Sequence, residues 1–90
     1  MSAPYEVRFT RSAKRALTEQ LPEAVAAAAF EFIMGALRDN PKRLGKQLNE
    51  PLFPLYSARR GEYRVIYRVE DRRLIIEVVT VVHRRDAYQS

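Results

Sequence analysis

Three short segments of this sequence hold most of the side chains that could do chemistry. They are Ser57-Ala58-Arg59-Arg60-Gly61-Glu62-Tyr63-Arg64-Val65-Ile66-Tyr67, the tail His83-Arg84-Arg85-Asp86-Ala87-Tyr88, and the stretch Leu44-Gly45-Lys46-Gln47-Leu48. One histidine, an arginine cluster and several tyrosines suit one reaction well, the cleavage of RNA. The ribose supplies its own nucleophile, the 2′-OH. The protein must align it with the phosphate, neutralise the charge that develops and move two protons. Arginine is planar, always charged and bidentate toward phosphate, which suits the second task. Histidine, with a reference pKa of about 6.5, suits the third. Tyrosine can take that role when neighbouring arginines lower a pKa that starts near about 10. Each residue also has a plainer reading. A lone histidine at a strand end is ordinarily just solvated, and Arg64 within a strand can pair with a neighbouring Glu. Tyr63 and Tyr67 share an apolar face with Val65 and Val69 and read as core.

Absences remove most other chemistry. The chain has no Cys and a single His, His83. Disulfides, thiol nucleophiles, Cys-ligated zinc and multi-His metal sites are therefore excluded. No Gly-rich phosphate loop is present, and no Ser stands in a strand-to-helix elbow that could complete a triad with His83. No metal and no cofactor are expected. Thirteen of the sixteen basic residues are Arg, and the net charge is +5. Residues 1–39 are neutral overall, so the whole excess lies in residues 40–90. Such a half is either a solvated basic surface or the footprint of a polyanion.

These residues must be positioned by a single domain, since 90 residues suffice for one core over residues 1–90 and not for two. No apolar run reaches the roughly 18–20 residues of a membrane span. Met1 to Tyr5 lacks the basic-then-apolar pattern of a signal peptide, and the expected location is the cytoplasm. Tyr5, Val7 and Phe9 alternate as one face of a strand. Thr10 or Ser12 caps the following helix, whose stripe is Ala13, Leu17 and Leu21. Pro22 opens a second helix in its first turn, which ends near Arg38 before Asn40-Pro41. That helix is apolar over most of its circumference, from Ala24 to Leu37 with only Glu31 strongly polar. Either the sheet and the first helix cover it, or part of it meets a partner chain. Residues 40–54 read as a loop. Three strands follow: Leu55 to Arg59, Glu62 to Glu70, and, after a tight turn at Asp71-Arg72, Arg73 to Val82. The last is apolar on both faces and belongs inside the sheet. The predicted fold is α+β, with element order β-α-α-β-β-β. Two helices pack on one face of a small, mostly antiparallel sheet, and the other face displays arginines from the meander.

The pattern Leu-Gly-Lys-x-Leu, Ser-x-Arg-x-Gly-x-Tyr-Arg-Val-x-Tyr and His-Arg-Arg-x-x-Tyr, at residues 44–48, 57–67 and 83–88, resembles the RelE/ParE superfamily of bacterial toxins, on its RelE side. The resemblance covers essentially the whole chain and implies the same order of elements. It implies the toxin of a type II toxin–antitoxin pair, bound by a cognate antitoxin, acting as a metal-independent endoribonuclease on mRNA in the ribosomal A site. Carried across, Arg64 would stabilise the phosphate, with Arg59, Arg84 and the C-terminal Tyr88 beside it. His83 stands where several relatives carry a catalytic His. Lys46, Arg60, Arg68 and Arg85 would hold the surrounding RNA. Where well-known RelE-like enzymes have Lys on the strand before the Tyr-Arg motif, this chain has Leu55 and Ser57. Where others have a Glu general base in the middle loop, Lys46 and Gln47 lie nearby, so the base is left open. ParE-side members poison gyrase without cutting RNA and share the fold and much of the arginine motif. A non-catalytic gyrase inhibitor, or a basic partner in an antitoxin–DNA repressor complex, are the alternatives.

Overall fold

A computed structural model describes residues 5–84. Strand β1 (Glu6–Phe9) is half-buried through Val7 and Phe9, as the alternation requires. Thr10 then caps helix α1. Its hydroxyl accepts the Ala13 N–H at 3.1 Å and donates to the Val79 carbonyl at 2.6 Å, so one side chain starts the helix and ties it to the sheet. Helix α1 covers Arg11–Arg15 and continues as a wider π-helical turn over Ala16–Gln20. Helix α2 covers Glu23–Phe32 and widens in the same way over Ile33–Leu37. Pro22 stands at the cap of α2, one position earlier than the sequence suggested.

The stretch 40–54, predicted to be a loop, holds two short elements. Pro41, whose fixed φ suits a helix start, opens helix α3 (Pro41–Leu44). Strand β2 (Lys46–Gln47) follows at once. Strands β3 (Tyr56–Arg60), β4 (Tyr63–Glu70) and β5 (Ile75–His83) form the predicted meander. The β4–β5 connection is longer than the Asp71-Arg72 turn read from the sequence. It runs to Leu74, which takes a left-handed backbone with φ 53° and donates its N–H to the Asp71 carbonyl.

The five strands lie in the order β1-β5-β4-β3-β2, so the sheet gains a strand over the expected four. β1 runs parallel to β5, and the other pairings are antiparallel. β5 lies inside, between β1 and β4, as its two apolar faces demand. A bulge opposite Ile66 and Tyr67 shifts its register. Both long helices cover one sheet face. The core joins Ala13, Ala16, Ala29, Phe32, Ile33 and Leu37 to the sheet's Ala58, Tyr63, Val65, Tyr67, Ile76 and Val78. Small alanines on the helices let the backbones approach the sheet. Burying the larger side chains contributes roughly 1.5–3 kcal/mol each. The α+β class, the helices on one side and the tyrosine core positions agree with the sequence reading.

Candidate functional site

The site begins with a turn. Arg60 pairs with Tyr63, so β3 and β4 are joined by Gly61-Glu62 alone. Gly61 has φ 58°, a backbone region glycine enters freely and a tight hairpin turn requires. This turn fixes the register, and the register sets Arg59 directly opposite Arg64. Side chains of directly opposed residues share a face, with Cβ atoms about 4.5–5.5 Å apart, and like charges there repel. The next row of the same face aligns Lys46 with Ser57 and Ser57 with Ile66. Lys46, Ser57, Arg59 and Arg64, with Leu44 and Leu48, line one open cleft of about 600 Å³ on the helix-free side of the sheet. No carboxylate among the described residues lines it. Among the described residues, neither the Arg59 nor the Arg64 side chain makes a hydrogen bond or ion pair.

The other end of that face is organised differently. Arg8 pairs with Glu6 at 2.9 Å, Arg68 with Glu77 at 2.7 Å and Arg73 with Glu70 at 3.1 Å. The hydrogen bond from Arg73 holds the Glu70 carboxyl below its ordinary value. The hydrogen bond to Glu77 raises Arg68. These cations have counter-charges within the chain, and their lids of charge cover Ile75. The excess charge of the face therefore concentrates at Lys46, Arg59 and Arg64.

The structure gathers only part of the predicted site. Lys46, Arg59 and Arg64 come together. Arg68 shares their face but is paired with Glu77 at the far end. Arg60 and His83 lie on the opposite, helix-covered face. Arg60 aligns with Tyr63 and Tyr63 with His83, in the row of the core tyrosine. The Arg60 guanidinium sits 4.9 Å from the centre of the Phe32 ring, and His83 Nε2 lies 3.7 Å from Glu62 Oε1. The sheet thus separates His83 from Arg64, and the two predicted site residues do not come together on one face. Arg84 follows β5 directly, is exposed, and donates its backbone N–H to the Glu62 carbonyl. Arg85 and Tyr88 lie outside the described residues. The sequence reading missed Ser57 as a lining residue and the strand that brings Lys46 beside it. Gly45 was the available signal, and its reason is close approach. A Cβ there would lie 1.8 Å from the Tyr67 hydroxyl oxygen.

A second open cleft, of about 630 Å³, lies on the helix side between α2 and the β3–β4 hairpin. Ala24, Ala28 and Ala36 form one wall, Arg60 and Glu62 the other, and Phe32 the floor. This is the uncovered part of the apolar circumference seen in the sequence. The sheet and α1 bury Ala29, Phe32, Ile33 and Leu37 but leave Ala24, Ala28 and Ala36 at the surface. No helix among the described residues is long and apolar enough to cross a membrane.

The fold is a small sheet backed by helices on one side, with two arginines opposed on the other. Residues 7–88 match the family described as ParE toxin of type II toxin-antitoxin system, parDE. The chain is 45% identical to Toxin RelE of Mycobacterium tuberculosis over 86 residues, covering 96% of this chain and 88% of that one. It is 44% identical to Toxin RelG of the same organism, again over 86 residues, covering 96% and 98%. The solved toxin–antitoxin complex RelBE2 of M. tuberculosis contains a chain that superposes with a TM-score of 0.87. The identity there is 44%, covering 91% of this chain and all of that one. The protein belongs to the RelE/ParE superfamily of type II toxin–antitoxin toxins, on the RelE side.

Proposed function

We propose that this toxin is a metal-independent endoribonuclease that cuts mRNA in the ribosomal A site and is held inactive by a cognate antitoxin. One observation carries the reading: among the described residues, Arg59 and Arg64 face each other without a counter-charge, with Lys46 beside them in a cleft lined by no carboxylate. Such a like-charge pair costs stability, and a bound phosphate offsets that cost. In the reaction the ribose 2′-oxygen attacks phosphorus while the bond from phosphorus to the 5′-oxygen breaks. The charge that builds on the non-bridging oxygens falls to Arg64 and Arg59, which stabilise it more in the transition state than in the ground state. One proton leaves the 2′-OH and one reaches the departing 5′-oxygen. Tyr88 is our candidate for one of these transfers, with Arg84 as a further phosphate contact. His83, on the other face, is left out of the cleft chemistry. The antitoxin of this pair is proposed to lay an amphipathic helix into the helix-side cleft, against the alanines of α2.

Mapping of RNA 5′ ends in cells after induction tests the reading, with Arg64→Ala as control. Breaks within translated codons that vanish in the variant support it. The second reading, gyrase binding without cleavage, is favoured by the absence of His, Tyr, Asp or Glu from the described cleft lining. DNA damage without such RNA breaks would establish it instead.

A further inference from the structure

Lys46 owes its place in the basic cleft to very little local structure. β2 is two residues long and α3 four. Elements this short do not hold themselves in position. Three of the contacts that anchor the segment bear on where Lys46 sits. The Lys42 ammonium pairs with Asp71 at 2.5 Å, but both side chains are at least half exposed, where such pairs contribute little. The Lys46–Ser57 and Gln47–Tyr56 pairing holds it from the edge of the sheet. The third anchor is buried. Tyr67, fully enclosed in the core and stacked on Tyr56 with ring centres 5.5 Å apart, donates its hydroxyl to the Pro41 carbonyl at 2.5 Å. The same oxygen occupies the space a side chain at Gly45 would fill. Gly45 has an extended backbone with φ −113°, open to any residue. Contact with Tyr67, not conformational freedom, is what demands glycine there.

We propose that Tyr67 is a positioning residue for the polyanion site: its buried hydroxyl, seated against Gly45 and Pro41, sets the height at which Lys46 enters the cleft beside Arg59 and Arg64. The inference rests on the reading of that cleft as a phosphate site. Its ring lies on the opposite face of β4 from Arg64, so it touches no RNA and acts only through the α3–β2 segment. Removing the hydroxyl frees the segment to shift and leaves Arg59 and Arg64 where the β3–β4 register puts them.

The test is a double-mutant cycle read as affinity for a single-stranded RNA oligonucleotide across a salt series, which needs no catalytic turnover. Lys46→Ala is expected to weaken binding and lower the salt slope by about 0.7, the value for one phosphate contact on a single strand. Tyr67→Phe, checked for folding by thermal melting, should produce much of that loss. Added to Lys46→Ala it should cost nothing further, because the residue it positions is gone. Added to Arg64→Ala it should cost its full amount. Additive losses in the Lys46→Ala background, or no loss from a folded Tyr67→Phe, overturn the proposal alone. If neither Lys46→Ala nor Arg64→Ala weakens binding, the phosphate reading of the cleft falls and takes the proposal with it. Gly45→Ala is a second route to the same shift and should reproduce the pattern of Tyr67→Phe.

Discussion

Two neighbouring arginines on β3 show how much one position along a strand decides. Arg59 lines the basic cleft, and Arg60 turns to the helix side and covers the Phe32 ring. They should respond oppositely to removal. Arg60→Ala is expected to cost about 0.5–1 kcal/mol of stability through the lost cation–π contact and to leave RNA cleavage unchanged. Arg64→Ala should leave melting nearly unaltered and reduce single-turnover cleavage on programmed ribosomes by about 10²–10³. Cleavage at the wild-type rate by folded Arg64→Ala would remove the transition-state role. The proton-transfer assignment divides the same way. His83→Gln is expected to cut at the wild-type rate and Tyr88→Phe to lose most of it, with pH profiles of both variants as the check. The arginines of the open face were legible because β4 alternates strictly, with Tyr63, Val65, Tyr67 and Val69 on one side. The face of His83 was not legible. β5 is apolar on both sides, and the bulge opposite Ile66 and Tyr67 breaks its alternation before His83 is reached.

Among the elements, the β3–β4 hairpin carries the site because its turn admits one register. Gly61→Ala should cost about 1–2 kcal/mol, the penalty of a side chain in the left-handed region. Nothing within 4 Å crowds that position, so backbone strain alone is measured. Gly61→Asn, which tolerates that region better, should cost less; equal losses in the two would point to packing. The Tyr67 phenol gives the sheet–α3 contact a signature in alkali. Burial, and next the charge of Tyr56, push it above its ordinary 10.0. The folded state therefore holds that proton more tightly than the unfolded chain. The stability this supplies is complete below pH 10 and is lost as pH rises through the folded value. Denaturant unfolding across pH 9–11.5 should show a fall in the wild type that is smaller in Tyr67→Phe. α1, α2 and the meander were readable from periodicity and from Pro, Thr and Gly punctuation. α3 and β2 were not, since elements of four and two residues are shorter than any period that could betray them.

Across the whole molecule, the sheet is a partition. Its bare face carries the basic cleft of Lys46, Arg59 and Arg64, and its helix side offers an alanine-walled cleft in which an antitoxin helix is proposed to lie. Ala28→Trp, filling that cleft, should abolish antitoxin capture in co-purification and leave RNA affinity unchanged. Loss of RNA affinity in the same variant would mean the two faces are not independent. The partition also has edges, and one of them is nearly absent. β2 closes its side of the sheet with two residues, Lys46 and Gln47, before Pro51 and Pro54 interrupt the chain that follows. A longer edge would present a row of free N–H and C=O groups on which another copy could add a strand. The stub offers too few groups to template one, and its lysine is a charge that a strand-adding copy would have to desolvate. Resistance to strand addition at that edge therefore rests in part on Lys46, the residue of β2 that lines the cleft. Replacing Asn49 and Pro51 with Val and Thr, to extend β2, should make the chain self-associate with concentration in light scattering more than the unaltered chain does.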